Sequence, residues 1–103
     1  MAKFALKAQP TFTAKVGFPQ AGGEAVDVLL TFKHRTKTGL DEFLASRADR
    51  TDVDSFMEMV VGWELADEFS KENIELLLEN HIGVALATYK TYIDQLVQHR
   101  AKN

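Results

Sequence analysis

The chain has 103 residues, enough for one domain, because two independent cores of about 50 residues each would be marginal. Apolar residues make up 46% and charged residues 26%, which excludes a disordered chain, and no apolar run approaches the ~18 residues of a membrane span. There is no cysteine, which excludes disulfides, Cys-based zinc sites and thiol catalysis, and the N-terminus has no signal-peptide stretch. We therefore expect a small, soluble, intracellular protein that does not bind membranes.

The net charge of −3 is unevenly distributed along the chain. Residues 1–50 have a balance of +3, residues 51–80 a balance of −8, and residues 81–103 a balance of +2. The acidic middle would repel a phosphate backbone, so the distribution disfavours nucleic-acid binding. Two interpretations of the acidic segment stay open: solvated outer faces of helices, or a surface for a basic protein partner or a second copy of the chain.

Two runs in the first third of the chain alternate between apolar and polar residues, as half-buried strands do. Residues 11–18 and 26–33 are joined by a loop at 19–24 that contains proline and paired glycines, so they predict a β-hairpin. Residues 3–7 also alternate and predict a short third strand. Leu29 interrupts the polar face of the second strand, where it would be covered by another copy, covered by the N-terminal strand, or exposed.

Helical periodicity follows the hairpin. The spacing predicts helices that begin at N-caps Thr38, Asp52 and Ser70, with the second helix running through Val61, and a last helix after Gly83. The last helix takes its apolar stripe from Ile82, Leu86, Tyr89, Ile93, Leu96 and Val97.

The predicted fold class is α+β, since an isolated hairpin is marginal in water and needs helices to cover its apolar face. A single domain spans residues 1–103, with the β-hairpin part at 1–36 packed on three or four helices at 37–103.

The sequence contains no recognisable catalytic, cofactor or metal site. The three histidines, His34, His81 and His99, are too far apart for a local metal motif. The acidic cluster at 49–54 lacks the spacing of a calcium loop, and Gly22-Gly23 predicts a turn rather than a phosphate cradle. No serine lies in a nucleophile elbow. We therefore expect a protein that is not an enzyme and uses no cofactor.

Three segments carry a resemblance to a known family. They are Thr11-Phe12 with Gly22-Gly23 and residues 30–36; Val61-Gly62-Trp63 with residues 68–80; and Gly83-Val84-Ala85 with Tyr92-Ile93 and residues 100–103. Together they resemble the tail assembly chaperones of long-tailed bacteriophages and prophages. The chain departs from the family pattern at His81-Ile82, where an aromatic residue and a proline would be expected before the glycine.

The resemblance implies a non-enzymatic protein that binds the tape measure protein, a long apolar helical chain, before the tail tube polymerises around it. It would act in the cytoplasm of the bacterial host, in several copies, and be absent from the mature virion. Tyr and Trp are enriched at interfaces, and Met gives adaptable apolar contacts. The partner-binding candidates are Leu29, Met57, Met59, Trp63, Tyr89 and Tyr92, with core packing as the alternative for each aromatic and Met side chain.

The family also implies a longer, frameshifted form that recruits the major tail tube protein. Ala101-Lys102-Asn103 can be encoded as GCA-AAA-AAC, which contains a slippery heptamer, so the predicted frameshift position is Lys102 or Asn103. Two other functions remain open: a small structural tail or connector protein of the virion, and a small nucleic-acid-binding regulator.

Overall fold

The computed structural model describes residues 4–97 and confirms the α+β class. The elements follow the chain as β1 (Thr11–Phe18), β2 (Val26–Lys33), α1 (Lys37–Ala45), a 3₁₀ turn (Arg47–Asp49), α2 (Asp52–Met59), β3 (Val60–Trp63), α3 (Lys71–Asn80) and α4 (Val84–Val97). None of the helices within residues 4–97 combines the length and apolar character needed to cross a lipid bilayer.

The predicted hairpin forms the first two strands of an antiparallel sheet with the order β1-β2-β3. Its register pairs Thr11 with Lys33 at one end and Phe18 with Val26 at the other. The connecting loop turns at Gly22, whose φ of 74° lies in the left-handed region that glycine enters without steric cost. Because side chains alternate along each strand, this register places the large apolar residues of the hairpin on one face, with the exception of Leu29.

The third strand lies at Val60–Trp63, and the prediction of a strand at residues 3–7 is wrong for the residues described: residues 4–7 form none. The prediction that α2 continues through Val61 is also wrong. A short apolar run fits both helical and strand periodicity, so pairing with β2 decides its conformation. Val60 pairs with Phe32 beside an irregularity in the register, and the strand satisfies backbone groups that the hairpin leaves free on β2.

The buried face of the sheet forms the centre of the core. Its residues are Val16, Phe18, Val28, Leu30, Phe32 and Val60. The helices contribute Leu40, Phe43, Phe56, Met59, Ile74, Val84 and Tyr92 to the same cluster. Helix α4 packs along β1, and α2 contacts α3, α4 and the sheet. Phe18, Phe32, Phe43 and Phe56, which lie on apolar stripes of the sequence, are all buried, while Phe12 is half-buried and packs against the same cluster.

Hydroxyl side chains begin three helices. Ser70 caps α3 as predicted, accepting a hydrogen bond from the backbone N–H of the residue three positions later. The predicted caps Thr38 and Asp52 are wrong by two residues and one residue: Thr36 caps α1 and Thr51 caps α2 through the same bond. In each case the observed cap has extended backbone angles, which let its hydroxyl reach that N–H group.

The stripe of α4 that meets the core agrees with the predicted one only in part: of the predicted residues, Tyr89, Ile93 and Leu96 pack against the core. Val84, Thr88 and Tyr92 face the core, whereas Ile82, which precedes the helix, and Leu86 are exposed. Apolar residues occupy more of α4 than one packing face can cover, and periodicity alone cannot rank the two sides. The pattern therefore predicted the helix correctly but assigned part of its exposed side to the core.

Gly83 provides a test of how the start of α4 packs on the hairpin. A Cβ atom at this position would lie 2.7 Å from Cγ of Pro19, in the loop between β1 and β2. We expect Gly83→Ala to lower the free energy of unfolding by about 1–3 kcal/mol through overpacking. Urea unfolding followed by Trp63 fluorescence measures the change.

Gly23→Ala is the matched control, because its added Cβ would come no closer than 3.6 Å to another side chain. Adding Pro19→Ala to Gly83→Ala should recover most of the loss, because it removes the ring atom that the new methyl group meets. Equal destabilisation by Gly83→Ala in both backgrounds would contradict this account.

Candidate partner-binding groove

An open groove of about 650 Å³ lies between two walls, one formed by α1, the 3₁₀ turn and α2, and the other by α4. We call it the α2/α4 groove. It is lined by Leu44, Arg47, Ala48, Arg50, Asp52, Ser55, Phe56, Met59, Ile82, Ala85, Leu86 and Tyr89. Its volume lies within the ~300–1,000 Å³ range of binding clefts.

The groove combines a buried apolar floor with an exposed apolar rim. Phe56 and Met59 form the floor and belong to the core. On the rim, Ile82 is 90% exposed and Leu86 is 53% exposed, and Leu44 is also exposed across the groove. Apolar side chains concentrated around a concave surface favour association, since contact with a partner removes them from water.

Arginines form the polar part of the groove. The Arg47 guanidinium lies 3.8 Å from the centre of the Tyr89 ring, a cation–π contact that joins the two walls. Arg50 lies 4.4 Å from the centre of the Phe43 ring and donates a hydrogen bond to the backbone oxygen of Phe43, which fixes it beside α1. The lining contains these two cations and one carboxylate, that of Asp52, so its net charge is positive.

A partly buried hydrogen-bond network holds the walls of the groove together. Arg35, just after β2, donates to the Glu58 carboxylate at 2.6 Å and to the Glu58 backbone oxygen at 2.5 Å, both on α2. It also donates at 3.0 Å to the hydroxyl of Tyr92 on α4, which in turn donates at 2.7 Å to the backbone oxygen of Lys33. Arg35 therefore connects α2 and α4 through the end of β2, and its cation stacks on Phe43 of α1.

The Tyr92 hydroxyl is kept protonated by this environment. Burial raises its pKa, because ionisation would place a negative charge away from water, and the hydrogen bond from Arg35 lowers it only in part. A raised pKa in the folded state means that the neutral hydroxyl contributes stability below the pKa of an unfolded tyrosine, near 10. That contribution is lost as the pH rises through the folded-state pKa.

Two of the six predicted partner-binding residues line the groove. Tyr89 is half-buried on the α4 wall, where its ring is accessible beside Arg47. Met59 contributes only to the floor, because it is almost fully buried. Tyr92 is fully buried, which is a correction: its ring stacks on Phe32 and its hydroxyl belongs to the Arg35 network, so it cannot contact a partner in the folded protein.

The other three predicted residues lie apart from the groove. Trp63 lines a separate cleft beside α3, where its indole N–H donates to the backbone oxygen of Asp67 and its ring packs edge-on against Phe69. Met57 is exposed on α2 and is absent from the groove lining. Leu29 is half-buried opposite Lys15 on the outer face of the sheet, and residues 4–7 add no strand that could cover it.

Sequence reasoning did not single out Leu44, Ile82 or Leu86 as candidates for partner contact. One signal could have identified the last two: the apolar positions on α4 span a wider arc than one buried face requires. Leu44 carries no such signal, because its spacing from Leu40 is that of an ordinary core residue.

Within residues 4–97 no three His, Cys, Asp or Glu side chains come together in a way that could hold a metal ion. His34 and His81 are widely separated in sequence, and His99 lies outside the described residues, as do the predicted frameshift positions Lys102 and Asn103.

A family model described as phage tail assembly chaperone matches residues 1–103. The chain belongs to this family. The predicted resemblance is thereby confirmed over the whole chain, and the family suggests a non-enzymatic role for this chaperone. No curated protein and no solved structure matches the chain significantly.

The Tyr92 network gives a pH-dependent prediction. We expect Tyr92→Phe to lower the free energy of unfolding at pH 7 by about 1–3 kcal/mol, because the Lys33 carbonyl and Arg35 each lose a buried partner. Above pH ~10 the wild-type protein should lose stability more steeply than the variant, because only the wild type must ionise this hydroxyl. Urea unfolding midpoints between pH 7 and pH 11 measure both effects.

Tyr89→Phe removes the same atom from a half-buried ring and controls for the general loss of one tyrosine hydroxyl. Parallel pH profiles for wild type and Tyr92→Phe above pH ~10 would show that Tyr92 does not couple ionisation to folding.

Proposed function

We propose that the α2/α4 groove binds an apolar helical segment of the tape measure protein before the tail tube polymerises. The observation that carries this proposal is the exposed rim formed by Leu44, Ile82 and Leu86 around the buried floor. Family membership supplies the context of tail assembly. The groove supplies a surface that an unassembled apolar helix could occupy.

The spacing of the rim suits a helical ligand. Ile82, Leu86 and Tyr89 are separated by four and three residues, so they follow one side of α4 and its N-terminal turn. Helix-in-groove recognition uses the same spacing on the ligand, where apolar residues at i, i+3 or i+4, and i+7 enter one groove. Arg47 and Arg50 would favour acidic residues beside those apolar positions of the ligand.

The strength of such contacts suits temporary binding. Full burial of one Leu or Ile side chain contributes about 1.5–3 kcal/mol, and the cost of association offsets part of that gain. A groove with three such side chains therefore supports reversible binding, which lets the tube protein displace the chaperone. In this role the protein acts without catalysis in the cytoplasm of the bacterial host and is absent from the mature virion.

The groove can be tested by removing its rim. We expect Ile82→Ser/Leu86→Ser to weaken binding to tape measure protein segments at least about tenfold, since two exposed apolar anchors are lost. Calorimetric titration with purified segments measures the affinity. Val97→Ser is the matched control, because Val97 is also an exposed apolar residue on α4 but is absent from the groove lining.

Unchanged affinity in the double variant would assign tape measure binding to another surface. Detection of the 103-residue chain in purified virions by mass spectrometry would instead favour a structural tail component.

We also propose that a longer form of the protein, made by frameshifting at the codons for Lys102 or Asn103, recruits the major tail tube protein. The sequence permits the slippery heptamer because Ala101, Lys102 and Asn103 can be encoded as GCA-AAA-AAC. Expression of the native gene with its downstream DNA and an N-terminal tag should give a minor, longer product by intact mass. Codons that do not contain the heptamer, or a single product of 103 residues, would contradict the proposal.

A further inference from the structure

Two features lie outside the α2/α4 groove and are not used by the proposed function. One is the segment of residues 4–10 before β1, here called the N-terminal arm. The other is a cleft of about 630 Å³ between α2 and α3, here called the acidic cleft. It is lined by Thr51, Asp52, Val53, Glu72, Glu75, Leu76, Leu78 and Glu79. We propose that the N-terminal arm of one copy binds in the acidic cleft of a second copy.

The arm exposes apolar side chains that its own chain does not cover. Phe4 is 91% exposed and Leu6 is 100% exposed, so neither reaches any cleft of its own molecule. The arm has no regular secondary structure and bends at Leu6 and Lys7, so its side chains are not held to the alternating sides of a strand and can enter one surface together. Lys7 supplies the arm's one charged side chain, and it forms no ion pair with any residue in the range 4–97.

The acidic cleft has the complementary composition. Its four carboxylates, on Asp52, Glu72, Glu75 and Glu79, face no basic residue in the lining. None of them forms an ion pair within residues 4–97, where the ion pairs join Arg35 to Glu58 and Lys37 to Asp41. Leu76 is 61% exposed in the cleft, beside the half-buried Val53 and Leu78.

The arm therefore matches the cleft in both charge and apolarity. Phe4 and Leu6 can cover Leu76 and Val53, while Lys7 meets carboxylates that form no ion pair within residues 4–97. Charge complementarity of this kind selects one orientation of binding and raises the association rate. Fully drawn out, the seven residues of the arm would span about 23 Å, which is the upper limit of its reach from the start of β1 to a neighbouring molecule.

The contact joins two different surfaces, so it is heterologous. Each copy offers one arm and one cleft, and copies can add in a row instead of pairing symmetrically. The acidic cleft shares only Asp52 with the α2/α4 groove, which leaves the groove open along the assembly.

Sedimentation velocity on the full 103-residue chain tests the contact without any tape measure protein. The average mass of the sedimenting species should rise with the concentration of wild-type protein at low salt. About 0.5 M NaCl should reduce this rise, because salt screens the attraction between Lys7 and the carboxylates of the cleft. Phe4→Ser/Leu6→Ser and Glu75→Lys/Leu76→Ser should each self-associate at least about tenfold more weakly. All four positions are exposed, so both variants should keep the wild-type circular dichroism.

Mixing the two variants provides the decisive measurement. The arm variant keeps an intact cleft and the cleft variant keeps an intact arm, so together they should form a 1:1 pair that grows no further. Val97→Ser and the groove variant Ile82→Ser/Leu86→Ser should self-associate like the wild type. The last comparison separates this proposal from the proposed function, because a groove variant can lose tape measure binding while self-association is unchanged.

Three results would overturn the proposal: a wild-type protein that stays monomeric at every concentration, an arm variant or a cleft variant that associates like the wild type, or a mixture of the two variants that forms no 1:1 pair. If the wild type is monomeric and the arm variant is less stable than the wild type, the arm binds in the cleft of its own molecule. Loss of tape measure binding in the cleft variant, with a monomeric wild type, would assign the cleft to that partner.

Discussion

The hydroxyl of Tyr92 is the point at which the sheet and the helices of this chaperone are joined. It donates to the last residue of β2 and accepts from Arg35, which also binds α2 through Glu58. The ring packs among Phe12, Phe32 and Phe43, so the same side chain belongs to the core and to its buried polar network. A partly buried network in which every member has a partner favours one arrangement of its elements, because another arrangement would leave the buried Tyr92 hydroxyl without these hydrogen bonds.

That arrangement determines the shape of the α2/α4 groove. Its walls are the helices that Arg35 connects, and its floor is the same core that covers the hairpin. A groove with a fixed floor can expose apolar residues at its rim without loss of the fold, since Leu86 and Ile82 add little to the core. The residues of α4 that pack on the core and the exposed residues that line the proposed binding groove therefore lie on different sides of the helix.

Charged side chains of opposite sign lie on different surfaces of the molecule. Arginines surround Phe43 and Tyr89 near the groove, where cation–π contacts hold them, whereas the acidic cleft is lined by the carboxylates of Asp52, Glu72, Glu75 and Glu79. The basic balance of residues 1–50 and the balance of −8 over residues 51–80 are thus placed on different elements of one fold. A protein that must keep apolar surface in water benefits from such charge, because it opposes nonspecific aggregation while leaving specific contacts possible.

The sequence by itself determined the class, the hairpin and its face, the presence of the helices and the family resemblance. These depend on local periodicity and on the order of three short sequence segments, both of which can be read from the chain without its fold. Tertiary structure alone decided that Val60–Trp63 forms a strand, since an apolar run of this length suits either conformation until β2 offers hydrogen-bond partners. It also decided which side of α4 is buried. Tyr92, a candidate for partner contact, lies in the core, and Leu86, expected in the core, lies on the groove, because burial depends on which neighbouring element meets each face and not on hydrophobicity alone.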